Sequence, residues 1–345
     1  MKIVGCDLHT RYQQIAMLDT ETGELRECRL EHAKGEVHAF FASLPDKARV
    51  GIEATGYSRW FERLLAELGH ELWIGDAAQI RATVVRKQKT DVRDAAHLLQ
   101  LLVEDRFPRI WRPTLAERDL RQLVWHRQKL VWMRNAIGNQ LHALAMGEGL
   151  CRKKQLFTKK GRAELEGLGL GAWASYRRQE LLQMIDQLDL SLKKLDEAVE
   201  EQAQQNAAAV LLRTHPGVGP VTSLAFMLTL GPVERFAGSK QVVSYLGLNP
   251  REHSSGGRQR LGAISKQGNP MMRSLLVEAG HSAARLDAEL HRDYQRLKLR
   301  RGSGVAKVAI ARKLAVRMYW MLRCQSNYAQ LVRMQASLRG TLVQK

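Results

Sequence analysis

The sequence predicts an N-terminal α/β domain with a mixed sheet, a middle of long helices carrying a coiled-coil seam, and a mostly α-helical C-terminal domain. Three observations predict it. Up to Pro113 the apolar pattern reads β-β-β-α-β-α-β-α, an order that folds as a sheet with helices packed on it. Further on, Leu181, Ile185, Leu188, Leu192, Leu195 and Val199 alternate spacings of four and three, which is a heptad seam. Towards the C-terminus, "HPGVGP" separates apolar helical segments in the manner of a helix-hairpin-helix element. A chain of 345 residues exceeds what one core usually serves, so several domains are expected, with bounds at 1–112, 113–207 and 208–345.

Each element has a local reason. "KIVGCDLH", "YQQIAMLD" and "ELRECRLE" read as three short strands joined by turns that include Thr22-Gly23, a β-meander. "GEVHAFFASL" follows as a short helix, "ARVGIEATG" as a strand, and "SRWFERLLAELG" as an amphipathic helix stopped by Gly69. "ELWIGD" is the next strand, and "DVRDAAHLLQLLVED" the next helix, with Thr90 as its N-cap. Pro108 and Pro113 punctuate the exit, and Thr114-Leu-Ala-Glu117 spells a capping box that should start a long helix towards Met146. "CRKKQLFTKKGR" reads as a basic connector. The seam helix after it serves either an antiparallel pairing inside the chain or a coiled coil between chains; spacing does not separate the two.

Charge narrows the partners. Lys and Arg number 54 against 35 Asp and Glu, a formal net charge of +19 that suits a polyanion, either nucleic acid or an anionic membrane. No run of apolar residues is long enough to span a bilayer, and the start "MKIVGCDLHTRYQQ" lacks the apolar core of a signal peptide, so an intracellular, cytoplasmic protein without a membrane partner is expected. Cys6, Cys28, Cys151 and Cys324 form no C-x-x-C pair, which signals neither a disulfide framework nor a zinc site.

Four carboxylates stand where a sheet could gather them. Asp7 ends the first strand, Glu53 lies in a strand expected beside it, and Asp91 and Asp94 share one face at a helix start. Such a group repels itself unless a divalent ion offsets the charge, and Mg2+ or Mn2+ suits oxygen ligands and phosphodiester chemistry. Any one acid alone reads more readily as an ordinary strand-end or helix-start acid; order and topology together reverse that preference and favour convergence. His9 and His97 lie beside these motifs, and packing or solvation is the preferred reading of both.

"GCDLH", "GIEATG" and "KTDVRDAAHLL" are similar to the Asp, Glu, Asp-x-x-Asp pattern of the DEDD insertion-sequence transposases, relatives of pilin-gene invertases that are also called bridge-RNA-guided recombinases. The resemblance implies an RNase-H-like N-terminal domain like that of Holliday-junction resolvases, with Asp7, Glu53, Asp91 and Asp94 as catalytic metal ligands. "YLGLNPREHSSGGRQRLGAISKQGNPMMRSLLVEAG" matches the family's second hallmark, a Ser-Gly loop in a C-terminal transposase domain. There the loop serine is a nucleophile on DNA; Ser255, directly before Gly256-Gly257, corresponds, with Ser254 as the alternative. Without the resemblance, "SSGG" reads as a flexible turn.

Phosphate contacts are expected from Gly217 and Gly219 in "HPGVGP", through backbone N–H groups at a helix start, although a plain helix-helix turn fits equally. Arg251, Arg258, Arg260 and Lys266 could position a phosphate beside the serine. Ser303 in "RRGSGVAK" reads as a phosphate-contacting helix start, and Trp111, Trp125 and Trp132 as packing residues between helices. The expected function is therefore a DNA transposase or recombinase with donor and target DNA, a Mg2+ or Mn2+ cofactor, a phosphoserine intermediate, a bridge RNA implied by the resemblance, and a dimeric or tetrameric assembly near the prokaryotic nucleoid. The competing readings are a metal-dependent junction-resolving nuclease and a non-enzymatic nucleic-acid-binding protein.

Overall fold

The computed structural model describes residues 1–84, 90–252, 254, 258 and 260–334. The chain divides into two compact units, Met1–Arg112 and Pro113–Lys345.

The first unit is a mixed sheet with helices on both faces. Its elements are β1 (Lys2–Leu8), β2 (Tyr12–Asp19), β3 (Leu25–Glu31), α1 (Glu36–Ala42), β4 (Arg49–Glu53), α2 (Arg59–Glu67), β5 (Glu71–Gly75), α3 (Ala77–Ala82) and α4 (Asp91–Val103). Strand order is β3-β2-β1-β4-β5, with β1–β2 and β2–β3 antiparallel and β1–β4 and β4–β5 parallel. Alternation sorts β1: Val4, Cys6 and Leu8 join Phe40, Phe41, Phe61 and Leu65 of α1 and α2 in one core. Ile3 packs instead with Leu98, Leu99 and Leu102 of α4 on the opposite face. Gly5 makes that second layer close, because a Cβ there would lie 2.3 Å from the Ala95 carbonyl oxygen. Helix α3 is additional to the elements the sequence predicts; Asp76 starts it by accepting hydrogen bonds from the backbone of Ala78 and Gln79.

The second unit is mostly helical: α5 (Leu115–Gly147), α6 (Lys159–Glu166), α7 (Ala172–Gln205), α8 (Ala207–Arg213), α9 (Pro220–Leu230), α10 (Ser239–Tyr245), a two-stranded antiparallel ribbon of β6 (Pro250–Glu252) and β7 (Leu261–Ile264), α11 (Pro270–Leu286) and α12 (Ala288–Arg323). The capping box at α5 forms as spelled, with Thr114 and Glu117 bonding each other's backbone N–H. Along the seam of α7, Leu181, Ile185, Leu192 and Val199 are buried. Their partner is within the chain, because α5 runs antiparallel beside α7 and pairs Arg134 with Asp189 and Arg127 with Asp196. The connector also holds α6, whose Leu165 joins Leu156, Leu141 and Leu181 in a local core. The larger core gathers α8 to α12 with Val124 of α5 and Val199 and Ala203 of α7. Among the described residues, no helix is long and apolar enough to cross a membrane.

Candidate active site

Asp7 and Asp91 come together at the C-terminal end of β1, and Glu53 ends the neighbouring strand. Parallel register sets Cys6 opposite Ile52, so Asp7 and Glu53 occupy the next rung of neighbouring strands. Both face the α4 side: Gly5 abuts α4 two residues before Asp7, and Gly51 abuts Leu102 two residues before Glu53. The close packing at Gly5 brings the start of α4 over the sheet. Thr90 caps that start by accepting from the Arg93 backbone, and Asp91 and Asp94 lie in the first helical turn.

Among the described residues, Asp7, His9 and Asp91 form a group in which each offers one ligand atom within 4.8 Å of the others. His9 Nε2 lies 3.1 Å from Asp7 Oδ2 and 3.6 Å from Asp91 Oδ1. Asp91 Oδ2 accepts a hydrogen bond of 2.7 Å from the Tyr12 hydroxyl. Burial pushes the Asp7 carboxyl above the ordinary carboxylate range; the His9 ring opposes that, while the charges of Asp94 and Asp91 add to it. Like charges crowded at one point are what a cation would relieve. Two carboxylates and an imidazole fit a divalent ion: the oxygens suit Mg2+ or Mn2+, and the imidazole suits a transition metal.

Glu53 lies at the same strand end, but its carboxylate accepts from Arg81 Nη2 at 3.3 Å. His97 is engaged elsewhere, 2.9 Å from the Thr83 hydroxyl. His9, expected to serve packing or solvation, stands with the two carboxylates, and Tyr12 is a contact the sequence does not predict. The spacing Asp7-x-His9 was the available signal for the first; nothing local ties Tyr12 to Asp91.

In the second unit, Ser255 lies outside the described residues, as do His253, Gly256, Gly257 and Gln259. The ribbon leading to them is held at its base by Lys266 N–H donating to the Gly247 carbonyl and Ser265 N–H to that of Asn249. Ser254 Oγ donates to Glu252 Oε1 at 2.6 Å and accepts from the Arg260 backbone N–H at 3.1 Å. Arg251 in β6, Arg258 and Arg260 before β7, and Lys266 after it are all exposed. The sequence predicts loop and helix here, and the two short strands depart from that expectation.

"HPGVGP" forms the turn between α8 and α9, with Gly219 as N-cap and Pro220 opening the helix. Gly217 has a packing reason of its own: its φ is 83°, and a Cβ would sit 2.4 Å from the Ala283 backbone nitrogen in α11. Gly219 has open space where a Cβ would go. Ser303 follows Gly302, whose non-helical backbone kinks α12. Trp125 and Trp132 are exposed on α5, contrary to the packing expected of them.

A DEDD transposase profile of IS110 elements matches residues 4–147, and a profile described as "Transposase IS116/IS110/IS902 family" matches residues 209–295. The chain is 28% identical to a probable family 20 transposase of Pseudomonas aeruginosa, over 92% of this chain and 96% of that protein. It is 27% identical to the transposase for insertion sequence element IS1111A of Coxiella burnetii, over 95% of this chain and 91% of that protein. A pilin gene-inverting protein of Moraxella lacunata is 30% identical over 36% of this chain and 38% of its own length. Matched by transposase profiles at both ends and by transposases along nine-tenths of its length, the chain belongs to the IS110/IS116 transposase family.

Proposed function

We propose that this transposase cuts and rejoins DNA through a serine nucleophile in its second unit and a Mg2+- or Mn2+-dependent RNase-H-like acid centre in its first. The observation that carries the reading is the gathering of Asp7 and Asp91 at the end of β1, with Glu53 on the neighbouring strand end and Asp94 one turn along α4. Strand order β3-β2-β1-β4-β5 supports the RNase-H-like assignment. When bound, the ion supplies positive charge that lowers the barrier at a phosphodiester.

Asp7, Glu53, Asp91 and Asp94 hold and orient. Ser255, with Ser254 as the alternative, attacks the scissile phosphorus. Its Oγ loses a proton as the serine–phosphorus bond forms, and the sugar oxygen that leaves takes up a proton as its bond to phosphorus breaks. The phosphoserine link conserves the energy of the broken bond, so a DNA hydroxyl reverses the step and rejoins the strands. Arg251, Arg258, Arg260 and Lys266 are exposed beside the loop and neutralise phosphate charge. Backbone N–H groups at Gly217 and Gly219 contact DNA phosphates. A structured noncoding RNA guides target choice, and protomers combine their units in a homo-oligomer. The inverting protein of Moraxella, named for rearranging a pilin gene, supports recombination over hydrolysis.

The test uses labelled DNA carrying the element's ends. A protein–DNA adduct that survives denaturation is expected with the native chain and absent after Ser255→Ala; its loss only in Ser254→Ala would move the nucleophile by one residue. Full strand exchange by a variant carrying both Ser254→Ala and Ser255→Ala would overturn the serine mechanism, and cleavage without an adduct would favour a hydrolytic nuclease. Sequencing the RNA that co-purifies with the protein tests the guide: one discrete species is expected, and a random cellular mixture would refute it.

A further inference from the structure

Tyr12 has no part in the chemistry above, yet its hydroxyl is bonded to the site. It stands on β2, opposite Glu31 of β3, and donates to Asp91 Oδ2 at 2.7 Å across a sequence separation of 79 residues. Its ring is fixed on two sides: the Arg29 guanidinium lies 3.6 Å over it, and the His9 ring lies 4.6 Å from it. Arg29 is in turn held by Glu31 at 2.9 Å. Asp91 gains from such a support, because its side chain is 41% exposed at the first residue of a helix and its contact to His9, at 3.6 Å, is longer than a hydrogen bond.

We propose that Tyr12 is a positioning residue for the metal centre. By occupying Asp91 Oδ2, its hydroxyl directs Oδ1 towards Asp7 and His9, where the second carboxylate and the imidazole already converge. The stack of Arg29 on the Tyr12 ring anchors this support in the meander. The carboxylate is thereby ordered before an ion arrives, and hydrogen-bonding partners that orient ligands in this way commonly change metal affinity by about ten- to a hundredfold. The inference rests on the reading that these acids hold a divalent ion.

The experiment is a Mn2+ titration of the full chain by calorimetry, with melting temperatures measured with and without Mn2+. Tyr12→Phe is expected to weaken Mn2+ binding by roughly tenfold or more, to melt near the native temperature without Mn2+, and to lose much of the Mn2+-induced rise. A purely structural role would lower both melting temperatures together and leave the affinity unchanged. Arg29→Gln keeps the hydroxyl and is expected to weaken binding in the same direction by a smaller factor; native affinity in this variant would overturn the proposal even if Tyr12→Phe does not fold. Asp7→Asn separates the two readings. Native Mn2+ affinity in Tyr12→Phe, with binding abolished in Asp7→Asn, overturns the positioning role and leaves the metal centre standing, whereas a native chain that binds no Mn2+ overturns both.

Discussion

His215 shows how a single buried residue ties the α8–α9 turn to pH. It is 1% exposed, its Nδ1 is 2.8 Å from the Pro216 carbonyl, and its Nε2 is 3.5 Å from Arg317 Nη1. Burial lowers its pKa to about 4, with the nearby Arg317 charge acting in the same direction. The folded ring therefore stays neutral at a pH where the unfolded chain already takes up a proton, so stability is intact above about pH 6.5 and falls as pH drops towards 4. The full loss is on the order of 3 kcal/mol. Thermal melts between pH 7 and pH 4 should show it, and His215→Gln should flatten that part of the profile. Arg317 beside it bridges Asp287 at 3.3 Å and Glu289 at 2.7 Å, with Tyr328 also bonded to Asp287. Arg317→Ala would strand the buried Asp287 charge, and denaturant melts should report a loss of about 3–5 kcal/mol.

Among the elements, the α8–α9 turn separates two glycines that look alike in the sequence. Gly217→Ala needs a Cβ that overlaps the α11 backbone and a left-handed φ, so denaturation should show a loss of more than about 2 kcal/mol. Gly219→Ala meets open space at a φ of −92° and should change stability by less than about 1 kcal/mol, mostly through the weaker N-cap. If Gly219 contacts DNA, that variant can report on binding in a folded protein, whereas Gly217→Ala cannot. At the start of α5, Thr114→Ala removes one arm of the capping box, and a melt should record about 1 kcal/mol. This cap was readable because its residues are adjacent in sequence. The ribbon of β6 and β7 was not, since its strands are short and largely exposed and carry little of the apolar alternation that marks a strand.

For the whole molecule, the division at Arg112/Pro113 places all four acids, His9 and Tyr12 in one unit with its own cores on both sheet faces. A fragment of residues 1–112 is expected to fold alone and bind Mn2+ with the affinity of the full chain; a tenfold weaker affinity in calorimetry would mean that the second unit contributes to the centre. The strands of the first unit and its helices other than α3, the capped starts of α4 and α5, and the positions of Asp7, Glu53, Asp91 and Asp94 on strands and at a helix start were all legible in the sequence. These follow from side-chain period and capping, which act within a few residues. Only the tertiary structure decided that His9 lies between Asp7 and Asp91, that Tyr12 reaches Asp91, that the α7 seam is covered by α5 of the same chain, and that Gly217 packs against α11. Each of those contacts joins segments that meet only when the chain closes on itself, and the local pattern around either partner is compatible with several such closures.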